Sequence, residues 1–192
     1  VAIGDLTSGM WTALAILGAV IQRHGSGRGH KVETSLLASL MGLLSVQGQR
    51  YLSLGEVPGP AGNVHPVIAP YGVSEAQDGP LTVGAATQDQ WVKLARLIGL
   101  AELVTDPRFL TNADRVKHRT ELKGLIEERL QQQDRATWTQ RMVDIGIPAG
   151  PINNLADAFA ERQVQHTGLV EQFEHPTLGS VNQVGNPIRM DG

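Results

Sequence analysis

One stretch of this chain excludes regular secondary structure and so divides the rest of the sequence in two. Residues 55–71 read GEVPGPAGNVHPVIAPY and contain four prolines and three glycines. Proline has no backbone N–H to donate, and glycine loses more conformational entropy than other residues when a helix or strand forms. The segment therefore predicts an extended linker, and we place a domain boundary here.

The residues before the linker carry helix signals. Four apolar residues recur there at helical spacing: Trp11, Leu14, Leu17 and Ile21. This pattern predicts a helix over residues 6–24, with one buried face. Its apolar run, residues 11–21, is shorter than the roughly 20 residues that a bilayer span needs, which predicts a core helix. A short strand at residues 30–34 and a second, largely apolar helix over residues 35–54 are expected to follow.

The residues after the linker mix strand and helix signals. Asp78-Gly79 lies between two extended runs and predicts a hairpin, with strands over residues 73–76 and 81–85. Three helical patterns follow, over residues 87–97, 112–132 and 135–143. A further helix over residues 152–160, capped by Asn153 or Asn154, precedes irregular strands in residues 164–189. The chain therefore reads as a discontinuous α/β protein.

Composition excludes several classes of function. The chain has no cysteine, so a thiolate nucleophile, a disulfide framework and a Cys-based zinc site are excluded. Its 16 basic and 19 acidic residues are mixed along the sequence, without the basic stripe that follows nucleic acid. The six histidines are scattered, and none has a partner at metal-ligand spacing. Neither nucleic acid nor a metal ion is expected as a partner.

Asp5 stands just before the first predicted helix, in the string VAIGDLTSGMW. The free N–H groups and the positive dipole end of a helix stabilise a negative charge at that place. Aspartate is a favoured cap residue, so a capping role explains it. Thr7 and Ser8 are equally good caps that lie closer to the apolar pattern, which would leave Asp5 available for chemistry. The residues alone leave both interpretations open.

The string DPRFLTNADRVKHR combines a turn, a buried-looking Phe109 and a basic cluster. The cluster consists of Arg115, Lys117, His118 and Arg119. A solvated helix face explains it best, and a patch for the phosphates of a nucleotide-like cofactor is the alternative. Trp91 and Trp138 fall among aliphatic residues at helical spacing and are expected in the core.

Five ordered blocks of this sequence together resemble class III CoA-transferases, the family of formyl-CoA transferase, carnitine CoA-transferase and α-methylacyl-CoA racemase. The blocks are GDLTSGMWTALAILGAVIQRHGSGRGHKVETSLLASL, YLSLGEVPGPAGNVHPVIAPYGVSEAQDG, LIGLAELVTDPRFLTNADRVKHRTEL, GIPAGPINNLADAF and EHPTLGSVNQVGNPI. They cover essentially the whole chain, which is similar to the C-terminal portion of these proteins. The first block corresponds to the family segment that carries the catalytic aspartate.

The resemblance implies an α/β fold in which a large Rossmann-like domain is interrupted by a small α+β domain, in an interlocked homodimer. It divides the chain into residues 1–54 (part of the large domain), 55–71 (linker), 72–147 (small domain), 148–162 (return linker) and 163–192 (C-terminal part of the large domain). Most contacts to CoA would then lie upstream of Val1. We therefore expect Val1 to be an internal position of a longer protein, and this chain alone to be an incomplete enzyme.

The resemblance also implies a chemistry for Asp5. It matches the family nucleophile, whose carboxylate attacks an acyl-CoA thioester and forms first an acyl-aspartyl anhydride and then an aspartyl-CoA thioester. The implied partners are an acyl-CoA and a small carboxylic acid. The resemblance implies neither a metal nor a membrane as a partner, and the implied location is the cytoplasm. The implied activity is acyl-CoA:carboxylate CoA transfer.

The formyl-CoA members of the family carry a glycine run where this sequence reads HPVIAPYG. Members that use other acids resemble the latter form, so His65, Tyr71 and Gly72 are candidates for the acyl pocket. Two alternatives stay open at this point. One is an α-methylacyl-CoA racemase, in which Asp5 would act with an upstream histidine, and the other is a non-catalytic fragment that lacks the CoA-binding half.

Overall fold

The computed structural model describes residues 1–190, which fall into two compact units. The first unit is Val1–Ala61, and the second begins at Gly62. The division falls within the predicted linker. The last two residues of the predicted C-terminal part, Asp191 and Gly192, lie outside the described residues.

The first unit consists of helices α1 (Ile3–Ser26), α2 (Leu36–Gly42) and α3 (Ser45–Leu54). Helix α1 begins three residues earlier than predicted and ends at Ser26. The next residue, Gly27, has a left-handed backbone that lets its N–H bond the carbonyl of Arg23 at 2.8 Å. The predicted second helix is interrupted between α2 and α3. The prediction of a strand at residues 30–34 is wrong, since these residues form no strand in the structure. The described residues of this unit offer no other strand to pair with them.

The apolar face of α1 is exposed in this unit, contrary to the prediction of a core helix. Leu17 is 60% exposed and Ile21 73% exposed. Within residues 1–190, α1 is also the one helix whose length and apolar composition suit a membrane span. Core helices and signal sequences meet the same criterion, so this property assigns no membrane role to the chain.

The second unit contains a three-stranded antiparallel sheet in the order β1-β2-β3. Its strands are β1 (Tyr71–Ala76), β2 (Gly79–Gly84) and β3 (Ala149–Pro151). The predicted hairpin is confirmed, with Ala76 opposite Gly79. The two-residue turn is therefore Gln77-Asp78, one residue before the predicted pair.

Between β2 and β3 the chain forms four α-helices: α4 (Gln88–Leu97), α5 (Asn112–Lys117), α6 (Arg119–Leu130) and α7 (Arg135–Asp144). Helix α6 contacts β1, and α7 contacts β2 and β3. Thr87 and Thr111 begin α4 and α5 with complete capping boxes. The predicted helix over residues 112–132 is broken at His118. Trp91 and Trp138 lie in the core as predicted, and the indole N–H of Trp138 bonds the carbonyl of Leu130 at 2.8 Å.

The remaining described residues form α8 (Leu155–Ala160), α9 (Arg162–His166) and an antiparallel hairpin of β4 (Val170–His175) and β5 (Gly179–Val184). Asn154 caps α8, as one of the two predicted alternatives. The assignment of this segment to the large domain stays a prediction.

Candidate functional site

Asp5 is the third residue of α1, and not a residue outside the helix as the sequence predicted. Its side chain is exposed and has no hydrogen-bond or ion-pair partner among residues 1–190. The start of α1 has no side-chain cap, so N–H groups of its first turn lack acceptors within the helix. An exposed, unpartnered carboxylate thus lies at the positive end of a 24-residue helix.

Thr7 and Ser8 do not cap α1. Each hydroxyl donates a 2.7 Å hydrogen bond to a carbonyl one turn earlier, Thr7 to Ile3 and Ser8 to Gly4. Threonine and serine commonly bond in this way inside a helix, where the carbonyl four residues back is within reach. The local competition for the cap position that the sequence suggested is therefore absent.

His65, Tyr71 and Gly72 lie together at the start of β1. The backbone N–H of His65 donates to the carbonyl of Tyr71 at 2.9 Å, and the two rings stack with centroids 5.2 Å apart and planes 15° apart. The N–H of Val67 donates to Nδ1 of His65 at 3.3 Å. Because Nδ1 accepts, a neutral His65 carries its proton on Nε2 and offers a donor there.

Gly72 allows a close approach of two chain segments. It pairs with Val64 in an isolated antiparallel bridge. A Cβ at position 72 would lie 2.4 Å from the carbonyl oxygen of Asn63, well inside van der Waals contact. Only glycine fits here without displacing the backbone that carries His65.

Replacing Gly72 by alanine is expected to destabilise the second unit by about 2 kcal/mol, because the new methyl group collides with backbone. Thermal unfolding would measure the loss. Gly124→Ala is the matched control: Gly124 lies in α6 with no atom within 4 Å of an added Cβ, so that change is expected to stabilise by up to about 1 kcal/mol. Equal effects of the two substitutions would contradict the steric argument.

A small cavity of about 30 Å³ lies against β1. Tyr71, Gly72, Arg119 and Lys123 are among its lining residues, and Nε of Arg119 is buried without a hydrogen-bond partner among the described residues. This volume suits one or two water molecules. The cavity by itself is too small for an acyl group, whereas Tyr71 as a residue is 43% exposed.

Arg115 is the main correction to the predicted solvated basic face. It is 2% exposed, and its Nε donates to the carbonyl of Ala69 at 2.7 Å. Its Nη1 donates to the carbonyl of Phe109 and to Oε1 of Gln88, both at 3.0 Å, and its guanidinium lies 5.3 Å from the centroid of the Trp91 ring. Burial lowers the pKa of Arg115, and the nearby carboxylate of Asp114 opposes that shift. Lys117 remains exposed.

The sequence reasoning also missed Asn112, which bonds the same segment as Arg115. Its Oδ1 accepts from the N–H of Ala69 at 3.2 Å, and its Nδ2 donates to the carbonyl of Val67 at 2.9 Å. The available signal was the three-residue spacing of Asn112 and Arg115, which is typical of one helical face.

The structure brings His65, Tyr71 and Gly72 together, and it places Asp5 in the other unit. Among residues 1–190, no group of three or more histidine and carboxylate side chains is arranged to hold a metal ion.

The sequence model of CoA-transferase family III matches residues 1–192. Human succinyl-CoA:glutarate CoA-transferase is 34% identical over 189 residues, which cover 98% of this chain and 43% of the human protein. Succinate–glutarate CoA-transferase of Agrobacterium fabrum strain C58 is 32% identical, over 99% of this chain and 48% of that protein. The chain thus spans less than half the length of these curated relatives.

Among solved structures, a CAIB/BAIF family protein from Brucella suis is similar to this chain with a TM-score of 0.77 and 36% identity. The match covers 99% of this chain and 49% of the Brucella protein. The mixed α/β fold expected from the sequence is confirmed by this similarity.

Proposed function

The chain belongs to CoA-transferase family III, and from this premise we propose that the protein transfers CoA from an acyl-CoA thioester to a carboxylic acid, with Asp5 as the covalent nucleophile. One observation carries the assignment of Asp5. Its carboxylate is exposed, lacks a partner among the described residues and lies in the first turn of a long helix. A carboxylate held in an ion pair or a cap would have to break that contact before it could attack.

In the proposed reaction, an oxygen of Asp5 attacks the carbonyl carbon of the donor thioester. The C–S bond breaks, CoA leaves as a thiolate, and a mixed anhydride forms between the donor acid and Asp5. The thiolate then attacks the aspartyl carbonyl of the anhydride. The donor carboxylate leaves, and an aspartyl-CoA thioester remains.

The acceptor carboxylate repeats these steps in reverse. It attacks the aspartyl thioester and expels the thiolate, which then attacks the acceptor acyl carbon and frees the carboxylate of Asp5. Each step exchanges one acyl bond for another, so no net proton is consumed and the thioester energy is retained. First-turn N–H groups of α1 suit the stabilisation of the oxyanion that develops at the aspartyl carbon.

We assign the acyl pocket to His65, Tyr71 and Gly72. The Nε2–H of His65 and the ring of Tyr71 offer one donor and one apolar surface, as a short acid requires. Two relatives at 34% and 32% identity are named for succinyl or succinate and glutarate transfer, which favours dicarboxylic acids of four or five carbons as substrates. CoA itself would be held by residues outside this chain.

Peptide mass spectrometry on the full-length protein tests the proposal. The enzyme is mixed with succinyl-CoA, quenched in acid and digested, and the expected result is a CoA-sized or succinyl-sized adduct on the peptide that contains Asp5. The same peptide from Asp5→Asn protein should carry none. Exchange of the α-proton of a 2-methylacyl-CoA without any adduct would overturn CoA transfer and favour the racemase alternative. Absence of both signals, in protein that is folded, would favour a non-catalytic role.

A further inference from the structure

We propose that Asn112, Arg115 and Arg119 are positioning residues of the acyl pocket, and that they determine which acids the enzyme accepts. Their side chains bond the backbone of residues 66–69 and thereby set the orientation of His65 and Tyr71. We call these three residues the clamp. The inference rests on the proposed function, because it takes His65 and Tyr71 as part of the acyl pocket.

The clamp contacts almost every peptide unit of this short segment. Asn112 bonds both the carbonyl of Val67 and the N–H of Ala69. Arg115 donates to the carbonyl of Ala69, and Nη2 of Arg119 donates to the carbonyl of Pro66 at 3.3 Å. Residues 66–69 have no sheet or helix to satisfy their polar groups, so the clamp supplies the partners that regular structure supplies elsewhere.

Arg115 is itself held rigidly. It is buried, and its guanidinium also bonds the side chain of Gln88 and the carbonyl of Phe109 while it lies over Trp91. Trp91 and Phe109 are fully buried members of the core. The position of the 66–69 backbone is therefore tied to the core of the second unit.

The clamp reaches the pocket residues through Val67. The N–H of Val67 donates to Nδ1 of His65 and shares a peptide group with the carbonyl of Pro66, which Arg119 bonds. Asn112 bonds the carbonyl of the next peptide group along the chain. His65 in turn stacks on Tyr71. Without the bond from Arg119, the Pro66–Val67 peptide group is free to rotate, Nδ1 loses its donor, and the proton of the neutral imidazole is no longer confined to Nε2.

A fixed Nε2–H has a consequence for the choice of acid. A dicarboxylic acid has a second carboxylate that accepts from this donor, whereas a monocarboxylic acid of equal length leaves the donor unpaired. Sites built to bond a polar group discriminate strongly against analogues that lack it. The clamp should therefore affect selectivity between acids more than the rate of transfer as such.

The test compares the full-length wild-type protein with Arg119→Met, using succinyl-CoA as donor and glutarate or valerate as acceptor. The expected result is a fall of at least tenfold in the ratio of kcat/KM for glutarate to that for valerate. Arg96→Met is the matched control, since Arg96 is exposed and its side chain bonds none of residues 66–69, and its ratio should not change. An equal loss for both acids in Arg119→Met would mean a merely structural role and would overturn the proposal.

Arg119→Gln is the second variant, for the case that Arg119→Met does not fold. Its shorter amide keeps a polar group beside the cavity and removes Nη2, the donor to the carbonyl of Pro66. We expect it to reproduce the loss of selectivity. A wild-type ratio in a folded Arg119→Gln protein would overturn the route through Val67.

A spectroscopic readout separates this inference from the proposed function. Solid-state NMR of protein labelled with ¹⁵N in its histidine rings identifies the tautomer of each ring, and His65→Gln assigns the signal of His65. We expect the Nε2–H tautomer in the wild type and a mixture in Arg119→Met. If the wild type transfers no acid, the proposed function fails, but this measurement still tests the clamp. A His65 signal that is the same in the wild type and in the variant would overturn the clamp.

Discussion

Asp5→Asn is expected to lower kcat/KM for CoA transfer by at least about 10³-fold, which corresponds to roughly 4 kcal/mol of transition-state stabilisation. The amide has nearly the shape of the carboxylate but is a far weaker nucleophile, and it cannot form the anhydride. Because the substituted side chain is exposed and has no partner in the described part of the chain, the fold should be unaffected. Steady-state kinetics of the full-length protein measures the loss, and Asp5→Ala should lose at least as much.

The chain offers a closely matched control for this substitution. Asp157 is exposed and is the third residue of α8, as Asp5 is the third residue of α1. Asp157→Asn removes the same favourable interaction with a helix dipole, worth about 0.3–1 kcal/mol, and should leave turnover unchanged. If Asp5→Asn retained wild-type turnover, or if Asp157→Asn lost as much, covalent catalysis by Asp5 would be excluded.

Arg115→Ala is expected to lower the free energy of unfolding of the second unit by roughly 3 kcal/mol. The substitution leaves two buried acceptors, the carbonyls of Ala69 and Phe109, without their donor, and the exposed side chain of Gln88 also loses a bond. Each unsatisfied buried polar group costs about 1–3 kcal/mol, part of which is recovered when water enters the space that the side chain leaves. The contact with the Trp91 ring is also lost.

Hydrogen exchange on the full-length protein, read by mass spectrometry over peptides from α4 and α5, reports the local stability of this region. Arg108→Ala is the control, because Arg108 is exposed and makes surface ion pairs with Asp106 and Glu121. Its guanidinium also lies 5.1 Å from the centroid of the Phe109 ring, so both variants lose one cation–π contact and differ in the buried hydrogen bonds. Such pairs contribute about 0–1 kcal/mol. Similar exchange rates in the two variants would show that the buried contacts of Arg115 contribute no more than a surface ion pair.

The hairpin, the ends of several helices and the buried tryptophans were predictable, because each depends on residues close together in the sequence. Thr87 and Thr111 begin helices through bonds to residues three positions ahead. The start of α1 was not predictable to the residue. Thr7 and Ser8 have the same local options inside a helix as at its cap, so side-chain type alone does not distinguish the two positions.

The sequence by itself determined the family, the division near the linker and the presence of a carboxylate at the start of the first helix. Only the tertiary structure decided that Arg115 is buried, that Asn112 holds the segment beside it and that His65 stacks on Tyr71. The physical reason is distance along the chain. The partners of Arg115 include groups 27 and 46 residues away, and nothing in a local pattern reveals which distant carbonyls will lack a donor once the core has formed.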